Sequence, residues 1–376
     1  MGLQARLDAV IDDAVAGRKT IVGTVVMVAR DGELVYSRAA GFADREAGVP
    51  VAEDTIFRLA SVTKPLVAAT ALALVERGQL SLDDPVAKYL FYFTPKSPDG
   101  VYRPILIRHL LSHTSGLSYD YAGDPEITTG GMNTDMSHAE NLSRIARMPL
   151  QFAPGTGWLY SVAIDVLGAV IAEITRGTLE AAVSRYVTGP LAMKDTAFHV
   201  IDGARLATPY YDARPEPLPM ADPQVVETRS GGRSTFSPGR IFNDKAYQSG
   251  GAGAVGTAPD LLRFFEALRQ GGGHILRPET VAMGFTNQIG TLPRRPHDTG
   301  QRFGFFGAII ADPGAAKSPA SPGTVRWGGS YGHEWFIDRH NGLSVVGFTN
   351  TAFEGCDGQY TLDIRDAVYD GTGLGK

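Results

Sequence analysis

The chain has 376 residues, 35 Lys plus Arg against 40 Asp plus Glu, and 43% hydrophobic content, which describes an ordinary globular protein of one large or two medium domains. A net charge of -5 with no block of like charges leaves no footprint for nucleic acid or for an anionic membrane surface. The single cysteine, Cys356, excludes an intramolecular disulfide and any thiolate-only metal site within one chain.

Residues 1–17 set Leu3, Leu7, Val10, Ile11 and Ala14 on one stripe, with Arg6, Asp8, Asp12 and Asp13 opposite, and so predict an amphipathic helix. Acids interrupt every apolar run that an export signal needs, so a cytoplasmic location is expected. No uncharged apolar stretch reaches the roughly 18 residues of a membrane span. Two β-rich runs, 21–29 and 34–39, flank an Asp31-Gly32 turn signal and predict a hairpin. Helical patterns follow at 61–77, 107–111, 139–146, 161–176 and 179–187. Residues 205–250, rich in Pro, Gly and polar side chains, predict a long irregular excursion of the kind that borders binding sites. A strand-like run at 303–311 and an irregular piece at 312–323 precede two further strands, 332–338 and 343–350, and a closing helix near 361–369. The expected class is α+β: an antiparallel sheet flanked by helices, assembled from residues 1–80 and 251–376, with a mainly helical insertion over 81–250.

The sharpest local feature is Ser61-Val62-Thr63-Lys64, which opens the apolar helix 65–75. Serine and lysine three apart share a helix face, so the amine reaches the hydroxyl. Pro65 is tolerated because it falls in the first turn, and the helix N-terminus points free N–H groups at any anion formed on the serine. The bland alternative is a serine that caps a core helix beside a solvated lysine. Two companions decide between them: Tyr160-Ser161-Val162 at the start of a second apolar helix, and Trp327-Gly328-Gly329-Ser330 on a closing strand.

Ordered matches run nearly end to end: Phe57-Arg58-Leu59-Ala60-Ser61-Val62-Thr63-Lys64-Pro65, Leu110-Leu111-Ser112-His113-Thr114-Ser115-Gly116-Leu117, Phe152-Ala153-Pro154-Gly155, Ser249-Gly250-Gly251-Ala252-Gly253, and the run from Trp327 to Trp335. On these the chain resembles the family VIII carboxylesterases, serine esterases built on the class C β-lactamase and penicillin-binding-protein fold. The resemblance implies Ser61 as nucleophile, Lys64 and Tyr160 as its proton-handling pair, and the backbone N–H groups of Ser61 and Ser330 as the oxyanion hole. It also implies that Tyr119 lines the pocket and that Trp327 stands where β-lactamases carry the lysine of Lys-Thr-Gly. An indole cannot replace that charge, so anionic β-lactams lose a contact. Tyr119, Tyr331 and Trp335 beside Trp327 would make an aromatic cleft for neutral acyl chains, although inward packing on strands is the alternative for Tyr331 and Trp335.

A serine hydroxyl needs a base, and an amine and a phenol both start near pKa 10, so the site must shift one of them. Either can serve, and their protons belong to the pair. The expected activity is hydrolysis of small, largely neutral carboxylic esters through an acyl-Ser61 intermediate. Acyl transfer, or amide or β-lactam hydrolysis, is the alternative on the same fold. No metal, organic cofactor, nucleic-acid partner or membrane partner is expected.

Three further motifs have plainer readings. Gly328-Gly329-Ser330-Tyr331-Gly332 is a literal Gly-x-Ser-x-Gly, but a nucleophile elbow requires a helix next and 333–338 looks like a strand. Gly251-Ala252-Gly253-Ala254-Val255-Gly256 is a literal Gly-x-Gly-x-x-Gly preceded by a polar run rather than the apolar strand a dinucleotide site needs; it implies tight backbone packing, with Thr257 capping the next helix. His109 and His113, four apart, are expected to be structural rather than metal ligands, and His333 is left out of the catalytic set.

Overall fold

The structure, a computed structural model, describes residues 1–121, 123–124, 126–228 and 231–374. In chain order the elements that place the site are helix α1 (Leu3–Asp12), strands β1 (Gly23–Arg30), β2 (Glu33–Asp44) and β3 (Val49–Pro50), helices α2 (Thr63–Glu76), α3 (Ile107–Leu111), α4 (Ala163–Thr175) and α5 (Ala258–Arg269), strands β4 (Gln301–Phe303), β5 (Ala308–Ile310), β6 (Val325–Gly329), β7 (His333–Asp338) and β8 (Leu343–Thr349), and helix α6 (Gln359–Thr372). The β-strands form one eight-stranded antiparallel sheet in the order β4-β5-β6-β7-β8-β1-β2-β3. Both chain ends meet at its centre, where β8 pairs with β1.

The first hairpin turns on Asp31 (φ 53°) and Gly32 (φ 96°), two successive left-handed residues that match the right-handed twist of the flanking strands. The sheet is covered on both faces, and the two-residue period of β1 distributes its side chains between them. Val26 and Val28 pack with Leu7 and Ile11 of α1 and Ile364 and Val368 of α6. Val25 and Met27 join Leu66 of α2, Leu167 of α4 and Phe265 of α5 in the main core. Helix α2 is apolar all round and buried from Thr63 to Leu74, so it forms the axis of the molecule instead of a surface layer.

Two details differ from the expected elements. The apolar run 303–311 is two strands, β4 and β5, because the chain reverses where Gly304 N–H donates to Gly307 O (2.9 Å). The excursion 205–250 is more ordered than its composition implies: it holds a hairpin, Gln224–Glu227 with Arg233–Phe236, and Tyr210–Tyr211 pairs in parallel with Thr351–Ala352. Among the described residues no helix is long and apolar enough to cross a membrane.

Candidate active site

The short strand Phe57–Arg58 pairs with Val255–Gly256, and Leu59 N–H donates to Ala254 O (2.9 Å). Ala60 then takes a left-handed conformation (φ 44°), which a non-glycine residue adopts only where its surroundings hold it there. A single tight turn, Ala60–Val62, runs into α2. Ser61 therefore sits half-buried at the start of the central helix. Lys64, 6% exposed, donates from Nζ to Ser61 Oγ (3.0 Å) and to Gly251 O (2.7 Å). Its ammonium lies 4.7 Å from the Tyr160 ring centre and 5.7 Å from that of Tyr119, within cation–π range of both.

Tyr160 is delivered by two of the motifs singled out in the sequence. Leu159 N–H donates to His113 O (3.0 Å), Gly155 N–H to Thr114 O (2.8 Å) and Gln151 N–H to Gly116 O (2.7 Å), so the His-Thr-Ser-Gly segment clamps residues 151–159. Gly116 has φ 83°, and a Cβ there would stand 2.3 Å from Phe152 O, so only glycine lets the two segments meet. His113 Nδ1 accepts from Ser161 N–H (3.3 Å), and its ring lies 4.6 Å from that of Tyr160. Burial, followed by the charges of Lys64 and Arg294, holds this imidazole well below its ordinary pKa, and it is neutral.

Trp327, on β6, donates from Nε1 to the Tyr160 hydroxyl oxygen (3.0 Å), with ring centres 4.9 Å apart. Behind it lies a cation that sequence reading missed. Arg294, its side chain 2% exposed, sits over the rings of Trp158 (4.6 Å), Phe303 (5.3 Å) and Trp327 (5.9 Å) and pairs with Asp298 at 3.1 Å. Burial lowers its pKa to about 10 against the opposing pull of Asp298. Two residues further along the same strand as Trp327, Gly329 touches the nucleophile turn: a Cβ there would lie 2.3 Å from Leu59 O and 3.1 Å from Val62 Cγ2. Ser330 follows in a tight turn closed by Gly332 N–H to Gly329 O (2.8 Å), which joins β6 to β7. The Gly-x-Ser-x-Gly string is thus strand–turn–strand, and the elbow geometry is excluded.

Tyr119 is half-buried with its ring 5.6 Å from that of Tyr160; burial, then Tyr160 and Asp165, pushes its phenol well above the ordinary range, so it is a neutral wall. Tyr331 was expected to line the cleft, and the structure corrects this. It is 8% exposed and packs edge-on against Phe236 (4.9 Å) in a small cluster with Ala60 and Phe353, because the excursion hairpin covers it. Trp335 takes the inward-packing alternative: it is fully buried and stacks on Phe265 of α5 at 4.3 Å, which makes it a core residue between sheet and helix. His109 and His113 serve the backbone separately, His109 Nδ1 accepting from Leu106 N–H (3.2 Å). His333 is enclosed by Phe57 and Phe348, with Nε2 2.7 Å from Arg58 O. The Gly251–Gly256 string ends in the short strand Val255–Gly256, and Thr257 accepts from Asp260 N–H to cap α5, as its sequence implies.

The fold thus brings a serine, an amine, a phenol, an indole N–H and a glycine-flanked strand turn to one place. The family model described as Beta-lactamase matches residues 7–369, and the chain belongs to the beta-lactamase family. Within it, the branch that its sequence resembles, the family VIII carboxylesterases, is the one its relatives support. Esterase EstB of Burkholderia gladioli is 48% identical over 376 residues, covering 98% of this chain and 95% of that protein. The solved structure of EstCE1, a hydrolase with promiscuous acyltransferase activity, is 41% identical with a TM-score of 0.93 and covers 98% of both chains. Simvastatin synthase LovD from Aspergillus terreus, at 24% identity and a TM-score of 0.75 over 97% of each chain, shares the fold.

Proposed function

We propose that the protein is a serine carboxylesterase that hydrolyses small, largely neutral esters through an acyl-Ser61 intermediate. The observation that carries this reading is the bridge from Lys64 Nζ to Ser61 Oγ (3.0 Å) beneath a Tyr160 whose oxygen is held by Trp327 Nε1 (3.0 Å). The deprotonated member of the Lys64–Tyr160 pair takes the hydroxyl proton as Ser61 Oγ attacks the ester carbonyl, and returns it to the departing alkoxide. The N–H groups of Ser61, at the start of α2, and of Ser330, at the strand turn, receive the oxyanion. Water then repeats the attack on the acyl carbonyl with the same groups. Trp327 replaces a cation with an aromatic wall and, with Tyr119, favours uncharged acyl groups.

The catalytic groups come from both parts of the two-part organisation proposed here: Ser61, Lys64, Trp327 and Ser330 from 1–80 with 251–376, and Tyr119 and Tyr160 from 81–250. A cytoplasmic location belongs to the same proposal; fractionation of cells that express the protein tests it. Transfer of the acyl group to an alcohol is the second reading, favoured by the likeness to EstCE1. The experiment is mass spectrometry of the enzyme quenched during turnover of a chromogenic short-chain ester. An adduct of acyl mass on the peptide holding Ser61 supports the mechanism, and an adduct elsewhere removes it. Added alcohol separates the two readings by whether a new ester accumulates.

A further inference from the structure

One buried acid near the site has no place in the mechanism above, and among the described residues it makes no ion pair within 4 Å. Asp165, 2% exposed, lies in the first turn of α4, an otherwise apolar stretch of helix. Its Oδ1 accepts from Ser249 Oγ (2.5 Å), and its Oδ2 has no hydrogen-bond partner among the described residues. The same Ser249 Oγ accepts from Ala252 N–H (3.0 Å). That N–H shares a peptide unit with the Gly251 carbonyl, which accepts from Lys64 Nζ (2.7 Å). The bonds therefore form one directional chain: ammonium to peptide oxygen, peptide N–H to hydroxyl, hydroxyl to carboxylate. Each donation polarises the next group in the same sense, so the carboxylate at one end strengthens the acceptor that faces the ammonium at the other.

The turn that carries this chain is shaped for it. A Cβ at position 251 would lie 2.3 Å from Asp165 Oδ2, one at 250 would lie 2.4 Å from Ile164 O, and one at 130 would lie 2.4 Å from Ser249 Oγ. The Ser-Gly-Gly-Ala-Gly run is glycine-rich because its backbone rests directly on the start of α4. Its far end is tied to the nucleophile helix, where Ala254 N–H donates to Thr63 Oγ1 (3.1 Å).

We propose that Asp165 and Ser249 are positioning residues that hold the Lys64 amine against Ser61 through the Gly251–Ala252 peptide. The proposal rests on the acyl-Ser61 reading and deepens it. Neither residue touches substrate, so the loss falls on the chemical step and leaves binding alone. With a short-chain ester, Ser249→Ala lowers kcat roughly 10- to 100-fold, the worth of a hydrogen bond to a charged group, and leaves KM within about 3-fold. Asp165→Leu behaves likewise. Asp165→Asn, which keeps an acceptor oxygen for the Ser249 hydroxyl, recovers most of kcat. A folded Ser249→Ala enzyme with parental kcat, or one whose KM rises while kcat stays put, overturns the proposal.

Circular dichroism of each variant establishes that it is folded. Should Ser249→Ala not fold, Ser249→Cys, near in size with a weaker donor and acceptor, decides by the same split between kcat and KM: a kcat at least 3-fold lower supports the proposal, and parental kcat overturns it. Ser61→Ala separates the two levels. If it keeps turnover, the acyl-Ser61 reading falls and takes this proposal with it. If it is dead while Ser249→Ala runs at parental kcat, only the positioning role falls.

Discussion

The two pairs at the heart of the site are made by opposite means. Ser61 and Lys64 stand three residues apart where a tight helical turn runs into α2, and their 3.0 Å contact follows from helical periodicity. Tyr160 and Trp327 are separated by 167 positions and meet at the same 3.0 Å, because a clamp of two loops carries the tyrosine and the sheet carries the tryptophan. The first contact is set by the turn Ala60–Val62 and α2, with one anchor from outside, the Gly251 carbonyl that accepts from Lys64 Nζ. The second depends on the docking of the helical region against β6, so distant substitutions reach it through two loops and a strand, and reach the first only through the peptide that anchors the amine.

Substitution breaks or sharpens this contrast. The largest effect is expected at Ser61: Ser61→Ala lowers kcat by at least about 10⁴-fold and ends covalent labelling by an organophosphonate. Ser330→Ala, which keeps its backbone N–H, stays within about 10-fold on the same assay. The reverse order would return the nucleophile to the strand turn. Tyr160→Phe comes next, with a loss of roughly 10²- to 10⁴-fold in kcat, the usual worth of a positioned proton carrier, and with labelling of Ser61 slowed rather than abolished. Trp327→Phe keeps the aromatic wall but removes the indole donor, and costs roughly 10- to 100-fold in kcat with little change in KM for a neutral ester. If it is silent, the bond between the two walls is packing alone.

The smallest effect at neutral pH concerns the scaffold that both pairs share. Burial lowers His333 to a pKa of about 4 in the folded state, against about 6.5 in an unfolded chain. Above pH 6.5 both states are neutral and this residue makes no difference. Between pH 6.5 and 4 only the unfolded chain takes up the proton, so stability falls as the solution is acidified, by up to about 3 kcal/mol from this side chain. Urea titrations at pH 7, 5.5 and 4.5 check the slope, and His333→Asn, if folded, should flatten it.

Much of the site was legible because its pieces are local. The Ser-x-x-Lys spacing, the tyrosine at a helix start and the glycine-rich strand edge each need only neighbours in sequence, and the same is true of the hairpin at Asp31-Gly32. The remainder was hidden for definite reasons. Tyr331 lies in the turn between β6 and β7 and Trp335 on β7, and nothing in their own run says that an excursion hairpin covers the first or that α5 stacks on the second. Arg294 lies in a polar-looking loop, and only packing reveals that three aromatic rings enclose it. Asp165 did leave a signal, an acid within an apolar helix, but its meaning needed the turn 84 residues further on.

Residue order alone committed this chain to a central apolar helix headed by a serine, to an amine one turn behind it, and to strands at both ends that must pair, because helical and β periodicities act over a few residues. Assembly in three dimensions settled which wall meets the serine, which aromatic residues remain accessible and where the amine finds its second anchor. Those outcomes depend on backbones approaching closely enough to exclude a single Cβ and on buried charges finding partners far along the chain, and neither constraint is written in any short stretch of sequence.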